Sequence, residues 1–274
     1  HFWAEKILDF KATADAVWRE QRMSGPTVQY IATYLANDLD EYDRAIEMLL
    51  DAHTNGRLDE AGQSMLVSYL HHRARYAESI PILIGLIGQR PEQVEYRALL
   101  MVAYYQTQNP SQLKETLAQA DKYFHEGGRW IEGNIARLAR ACVDTHLNED
   151  AVRYYDELIP LRKRTLGGRL LGDGTLSEYY RQLALGQSGL GNTIQAVEAA
   201  AGAIVVWGQD QNGRNNAVSV LKDVLRRSPD LAKYVTYIEK QVADNGLENP
   251  IVRKALGQIY LEKAWTLYRR GDAP

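Results

Sequence analysis

A recurring helix-face pattern constrains this chain more than any other feature of its sequence. In three segments, beginning at Tyr42, Tyr76 and Asp150, a small residue is followed four positions later by a large one, and an apolar or small residue follows three positions after that. Steps of four and three residues keep side chains on one face of an α-helix. A second amphipathic segment precedes each of them, and short polar segments such as residues 37–41 separate the two. The pattern predicts pairs of helices.

The helix pairs recur at a regular spacing. Residues 60–93 and 94–127 read as two consecutive stretches of 34 residues without an insertion between them. The first stretch ends in Gly88 to Pro91, and a proline ends a helix because it cannot donate a backbone hydrogen bond. Residues 177–210 form a further stretch of the same length. A single pair cannot bury its apolar face alone, so the repetition predicts an all-α stack of pairs.

Several of these repeated positions are similar to those of the tetratricopeptide repeat (TPR) family over roughly residues 26–210. The resemblance rests on these positions: Tyr42, Ala45, Leu49 and Ala52; Leu66, Tyr76, Ser79, Leu83, Leu86 and Pro91; Leu100, Tyr104, Leu117 and Ala120; Leu138, Ala139, Ala151, Tyr155 and Leu158; Leu183, Gly191, Ala196 and Ala203. It implies a right-handed superhelical solenoid of antiparallel helix pairs. The small residues at the second helix of each pair are then expected to be core.

The repeat predicts how the chain is divided. About four extra residues near 127–131 and a longer insertion precede the fourth and fifth pairs, and such insertions are expected to form loops or lengthened helices. Because the chain begins with His1 and its last pair is incomplete, we expect it to be a piece of a longer polypeptide. The predicted segments are an N-terminal capping helix at 1–25, four TPR-like pairs at 26–165, a glycine-rich insertion at 166–176, a fifth pair at 177–210, a degenerate pair at 211–249 and a partial C-terminal unit at 250–274.

The resemblance implies a scaffold that binds another protein or peptide in a concave groove lined by the first helix of each pair. The residues expected to bind the partner are Tyr30, Tyr34, Ser68, His71, Val102, Tyr105, Arg140 and Arg181, with Ser64, Ala98, Ala136, Leu185 and Lys254 also facing the groove. Aromatic residues and arginine are enriched at binding hot spots. We therefore expect an extended peptide or a helix, apolar toward the tyrosines and acidic toward Arg140 and Arg181. The alternative is that these are ordinary half-exposed residues.

Other roles stay open. The groove positions lack the Lys–Asn pair of repeats that clamp the C-terminal carboxylate of chaperones, so that specialisation is not expected. The chain could instead be a regulatory or substrate-recruiting arm of an enzyme or signalling protein whose catalytic part lies elsewhere. A third possibility is self-association through the terminal helices, where Trp265, Leu267 and Tyr268 would expose apolar surface unless covered.

Composition disfavours several classes of protein. The 32 basic and 35 acidic residues are interspersed and give a net charge of −3, which is unlike the basic surface of a nucleic-acid binder. The cluster Arg162-Lys163-Arg164 is expected to be a solvated helix end. No apolar run approaches the roughly 18 residues that span a membrane. A single cysteine excludes an internal disulfide; the location is not determined, although the cytoplasm is favoured.

No pattern of catalytic, metal-binding or cofactor-binding residues stands out. Cys142 and His146 have the spacing of two ligands on one helix face, but a metal site needs three or four ligands. The glycine-rich stretch 167–174 lacks the Lys-Ser/Thr ending of a phosphate-binding loop, so we expect a flexible connector. The sequence predicts that the chain is not an enzyme and uses no cofactor.

Overall fold

The structure is a computed structural model that describes residues 12–13, 23–206, 218–224, 257, 260–261, 264–265, 268–269 and 271. Residues 23–206 are helical apart from short connections, and no strand occurs among the described residues. The helices are α1 (Gly25–Asn37), α2 (Tyr42–Thr54), α3 (Glu60–His72), α4 (Tyr76–Gln89), α5 (Val94–Gln106), α6 (Pro110–Glu126), α7 (Glu132–Asp144), α8 (Asn148–Leu166), α9 (Gly174–Gly189) and α10 (Thr193–Val206). The all-α prediction is confirmed.

Two compact parts divide between Asp121 and Lys122, within α6. In the N-terminal part, each helix from α1 to α4 packs against the one that follows it, and α1 also touches α3. In the C-terminal part, α7 to α10 pack in the same sequential way, and α7 also touches α9. Both parts therefore have a helical-repeat architecture. Most of the predicted segments 1–25, 211–249 and 250–274 lies outside the described residues.

The repeated small residues are buried between the helices, as the pattern predicts. Ala45, Ser79, Ala151 and Ala196 are fully buried, and the large residues four positions later in the first three of these segments are buried as well. Their small size permits close contact between neighbouring helices. Ala98 is a correction: the resemblance places it on the groove, but it is buried because α5 packs inward on a broad face that includes Tyr96, Leu100 and Met101.

The first helix of every pair is followed by a turn with left-handed backbone. Each turn has one residue with positive φ, and these residues are Asp40, Ala74, Gln108, His146 and Gly191. In the last four turns the following N–H donates to a carbonyl five residues earlier, as Arg75 N does to Leu70 O at 2.8 Å. This bond and the shorter one beside it form a Schellman motif, which satisfies carbonyl groups at a helix end.

The spacing of these turns along the chain gives the length of each repeat in the structure. Asp40, Ala74 and Gln108 follow one another at intervals of 34 residues, whereas His146 and Gly191 follow at intervals of 38 and 45. The longer intervals fit the two predicted insertions. The repeat length inferred from side-chain pattern therefore also appears in the backbone conformation.

The second insertion forms a turn with hydrogen bonds to its neighbouring helices. Gly167 caps α8 with positive φ, and Gly168 and Gly172 also adopt positive φ, which glycine tolerates because it has no Cβ. Gly172 N donates to Val206 O at 2.6 Å, and Asp173 Oδ1 caps α9 by accepting from Leu176 N at 2.6 Å. The glycines therefore form a defined turn, and the flexibility of this connector stays a prediction.

The non-glycine residues at positive φ generate a stability prediction. Left-handed backbone is unfavourable for a residue with a Cβ, so Gln108→Gly should raise the free energy of unfolding by about 0.5–1 kcal/mol. The matched control is Gln119→Gly, at an exposed position inside α6, which should lower it by about 1 kcal/mol. Urea denaturation of both variants checks the signs, and equal destabilisation by the two would contradict the strain at Gln108.

Candidate functional site

The predicted partner-binding residues of the N-terminal part lie on the first helices, where the resemblance places them. Tyr30 is strongly exposed, with 73% of its surface accessible, and Ser68 is also exposed. Tyr34, Val102 and Tyr105 are half-buried. None of these five residues lines the cavity described below, so their role in binding stays a prediction.

His71 is engaged inside its own helix pair. Its Nε2 lies 2.9 Å from Ser79 Oγ, and its ring meets Tyr76 edge to face at 5.0 Å. Since the Ser79 hydroxyl donates to Tyr76 O at 2.7 Å, the serine oxygen is the acceptor for a protonated Nε2. Burial lowers the pKa of His71, because a charged ring would be poorly solvated there. His71 therefore joins α3 to α4 through its ring nitrogen.

Arg140 and Arg181, the predicted cationic residues, meet at one carboxylate in the C-terminal part. Glu178 Oε1 accepts from Arg140 Nη1 at 3.2 Å and from Gln182 Nε2 at 2.6 Å, while its Oε2 accepts from Arg181 Nη1. Arg140 Nε also pairs with Asp144 at 3.0 Å. Both arginines are thus paired with carboxylates of the chain, and an acidic ligand would have to compete with Glu178 and Asp144.

Beside this network lies a cavity of about 300 Å³. We call it the α7–α9 cavity, since those two first helices contribute most of its walls and α8 contributes one residue. Its lining residues are Gly133, Ala136, Arg137, Arg140, Tyr155, Glu178, Tyr179 and Gln182. Two of these were predicted groove positions, namely Ala136 and Arg140. The cavity combines small residues, tyrosine rings and charged groups at one site.

Polar atoms without partners lie at and beside this cavity. Within the described part of the chain, Gln182 Oε1 and Arg181 Nε are buried and have no hydrogen-bond partner. An unpaired buried polar atom costs about 1–3 kcal/mol, so such atoms are rare in folded proteins. Gln182 was not among the predicted site residues, although a polar residue at a mostly buried helix position is a usable signal.

In each part, the glutamate that begins one first helix accepts a hydrogen bond from a tyrosine of the next first helix, and we call this contact a clasp. The sequence did not predict it. Glu60, the first residue of α3, accepts from Tyr96 Oη at 2.8 Å and from Arg90 Nε at 2.9 Å. The Tyr96 hydrogen bond, assisted by Arg90, lowers the pKa of the Glu60 carboxyl. In the C-terminal part, Glu132 begins α7 and accepts from Tyr179 Oη at 3.0 Å.

Arg162 completes the second clasp. Its Nη1 lies 3.5 Å from Glu132, and its Nη2 lies 2.7 Å from Asp173. The side chain is only 24% exposed, so the prediction of a purely solvated helix end is wrong for Arg162. The guanidinium instead links the start of α7, the end of α8 and the cap of α9. Since Tyr179 lines the α7–α9 cavity, this clasp also fixes one of its walls.

The structure describes two further predicted features. Cys142 is buried in α7, whereas His146 is exposed beyond the end of that helix. No group of three His, Cys, Asp or Glu residues that could hold a metal occurs among the described residues. Trp265 and Tyr268 are exposed and meet edge to face at 5.9 Å, while Leu267 lies outside the described residues. Self-association through them stays a prediction.

Comparison with known proteins and a search for membrane spans add two findings. No helix in the described part of the chain has both the length and the apolar character needed to cross a membrane. No protein-family profile matches the chain, and no curated protein is significantly similar to it. The resemblance to the TPR family therefore rests on the repeated residues alone.

The second clasp predicts a measurable loss of stability. Tyr179→Phe removes the hydroxyl that donates to Glu132 and keeps the ring, so the free energy of unfolding should fall by about 1 kcal/mol. Tyr180→Phe is the matched control on the same helix, and it should change the value by less than about 0.5 kcal/mol. Chemical denaturation gives both values. Equal effects would mean that the Glu132 hydrogen bond does not stabilise the fold.

The lowered pKa of His71 predicts that the free energy of unfolding depends on pH. Its pKa is lowered in the folded state, so the unfolded chain binds a proton first as the pH falls. The stability that the neutral ring contributes is complete above the unfolded-state pKa of about 6.5 and is lost as the pH falls through the lower folded-state pKa.

Denaturation at about pH 7.5 and about pH 5 should therefore show a larger loss of stability for the native protein than for His71→Gln. His72→Gln, which leaves the His71–Ser79 pair intact, controls for the loss of one histidine. An identical pH dependence in the native protein and His71→Gln would refute the prediction.

Proposed function

We propose that this chain is a TPR-like interaction module that binds a peptide or helix of another protein on the surface of its first helices. The observation that carries the proposal is the α7–α9 cavity, because it opens between the first helices of two consecutive pairs. Stacked repeats create an extended concave surface, which solenoid proteins use for binding. Two of its lining residues, Ala136 and Arg140, are predicted groove positions.

The size of the cavity supports recognition of a small part of a partner. Its volume of about 300 Å³ lies at the lower end of the range found for ligand sites. One side chain or a short stretch of peptide fits such a space, whereas a folded domain does not. The cavity therefore serves as an anchor point, and the rest of the partner lies outside it.

Two of the arginines at the cavity are already paired with carboxylates of the chain. Arg140 has Asp144 and Glu178 as partners, and Arg181 shares Glu178. An acidic partner group would have to displace one of these carboxylates, and it would lose much of its gain in doing so. A neutral segment needs no displacement. The arginines then act mainly by holding Glu178 and Gln182 in place.

A selection from a random peptide library tests the proposal, because it needs no candidate partner. Peptides are selected on the native protein, and binding is then measured on Ala136→Trp, which fills the cavity from a half-buried lining position. We expect selected peptides to lose at least about tenfold in affinity, which corresponds to about 1.4 kcal/mol. Calorimetry or fluorescence polarisation measures the change.

Ala118→Trp is the matched control, because Ala118 is exposed on α6 and does not line the cavity. It should keep the native affinity. Circular dichroism of both variants establishes that the helices are intact. Failure to recover any peptide, or equal affinity of the native protein and Ala136→Trp, would reject this function for the cavity. Alanine at Tyr34 and Tyr105 tests the first helices of the N-terminal part in the same way.

A further inference from the structure

Two residues that line the α7–α9 cavity carry a polar group without a described hydrogen-bond partner. Gln182 is only 2% exposed, and its Oε1 has no hydrogen-bond partner among the described residues. Tyr155 is also 2% exposed, and none of the hydrogen bonds that the structure describes involves its hydroxyl. Burial raises the pKa of Tyr155 well above its usual value, against the opposing charge of Arg140, so the hydroxyl stays a neutral donor. Both residues line the cavity.

The orientation of the Gln182 carboxamide is fixed by its neighbours. Its Nε2 donates to Glu178 Oε1 at 2.6 Å, and Arg140 and Arg181 hold the same carboxylate. Turning the carboxamide over would place its oxygen against the carboxylate oxygen, and two acceptors repel each other. The unpaired atom is therefore the acceptor Oε1. Arg140 acts on the ligand site indirectly, as a positioning residue.

Both polar groups differ from the apolar residues at the same positions of the first three pairs, although the fourth pair has Arg137 at the position of Gln182. Counted from the positive-φ residue of each pair, the position of Tyr155 is occupied in the first three pairs by Leu49, Leu83 and Leu117. The position of Gln182 is occupied in those pairs by Ile31, Met65 and Leu99. Where the first three pairs have apolar residues, this one site has a hydroxyl and a carboxamide. Packing alone does not require either polar group.

We propose that Gln182 and Tyr155 bind the peptide main chain of an extended partner segment. A main-chain N–H of the segment donates to Gln182 Oε1, and a main-chain carbonyl accepts from the Tyr155 hydroxyl. This inference rests on the proposed function, which allows either a peptide or a helix as the partner. It chooses the extended peptide. The amide groups of a helix are already bonded within the helix, whereas an extended strand offers both of its groups. The partner segment is therefore extended at the cavity.

The test uses terminally blocked peptides recovered by the selection on the native protein. Tyr155→Phe removes one hydroxyl and keeps the ring, and Gln182→Leu installs a residue that the repeat itself has at this position. Each should lower the affinity about tenfold, since a buried partner group is left unpaired. The matched control Tyr154→Phe removes a buried hydroxyl from a residue of the same helix that does not line the cavity, and should leave the affinity unchanged.

Backbone chemistry identifies the source of the amide. Each peptide is remade with a single N-methylated amide at successive positions, and one position should lose about tenfold on the native protein but little on Gln182→Leu. If no N-methyl position has this effect, and replacing an Asn or Gln side chain of the peptide does, the cavity binds a side-chain carboxamide and the main-chain proposal is wrong.

The failures of the two proposals are distinguishable. Absence of cavity-dependent peptides overturns the proposed function itself. Peptides that lose affinity with Ala136→Trp, yet bind Tyr155→Phe and Gln182→Leu as tightly as the native protein, overturn only main-chain recognition. If Gln182→Leu does not fold, Tyr155→Phe and the N-methylated peptides still decide the matter.

Discussion

Two amphipathic helices joined by a short turn can bury one apolar face against each other, but each keeps further apolar surface that needs another neighbour. In this chain the neighbour is the next helix along the sequence, so that α3 packs against both α2 and α4, and α9 packs against both α8 and α10. Fully buried small residues such as Ala45 and Ala151 permit that contact. Everything else at the surface, including the cavity, depends on which faces this sequential packing leaves uncovered.

The order of helices and the buried positions follow from local periodicity, which is why the sequence predicts them well. A residue such as Leu83 is assigned to the core by its spacing from Ser79 and Leu86, and it is fully buried. The repeat length is also readable, because two stretches of 34 residues adjoin without an insertion. Handedness and the TPR form of the stack depend on small rotations between pairs, and local spacing does not encode them.

The polar contacts were much harder to predict. Glu60 meets Tyr96 and Glu132 meets Tyr179 across 36 and 47 residues of sequence, so no local spacing relates the partners. Likewise, nothing in the sequence near Arg140 identifies Glu178 as its partner. Tyr155 and Gln182 did leave a signal, because each is polar where the first three pairs are apolar. Tyr155 was assigned to the core for its spacing, and its hydroxyl received no separate role.

The carboxylate of Glu178 has a consequence for the thermodynamics of association. Arginine and glutamine side chains are among those that lose the most rotamer entropy when they are immobilised. Here one carboxylate already restrains Arg140, Arg181 and Gln182 before any partner arrives. Their ordering belongs to the folding reaction, so under the proposed function the entropy change of association would come mainly from the partner. Under the proposed function, selectivity then depends on how readily a partner segment adopts an extended backbone.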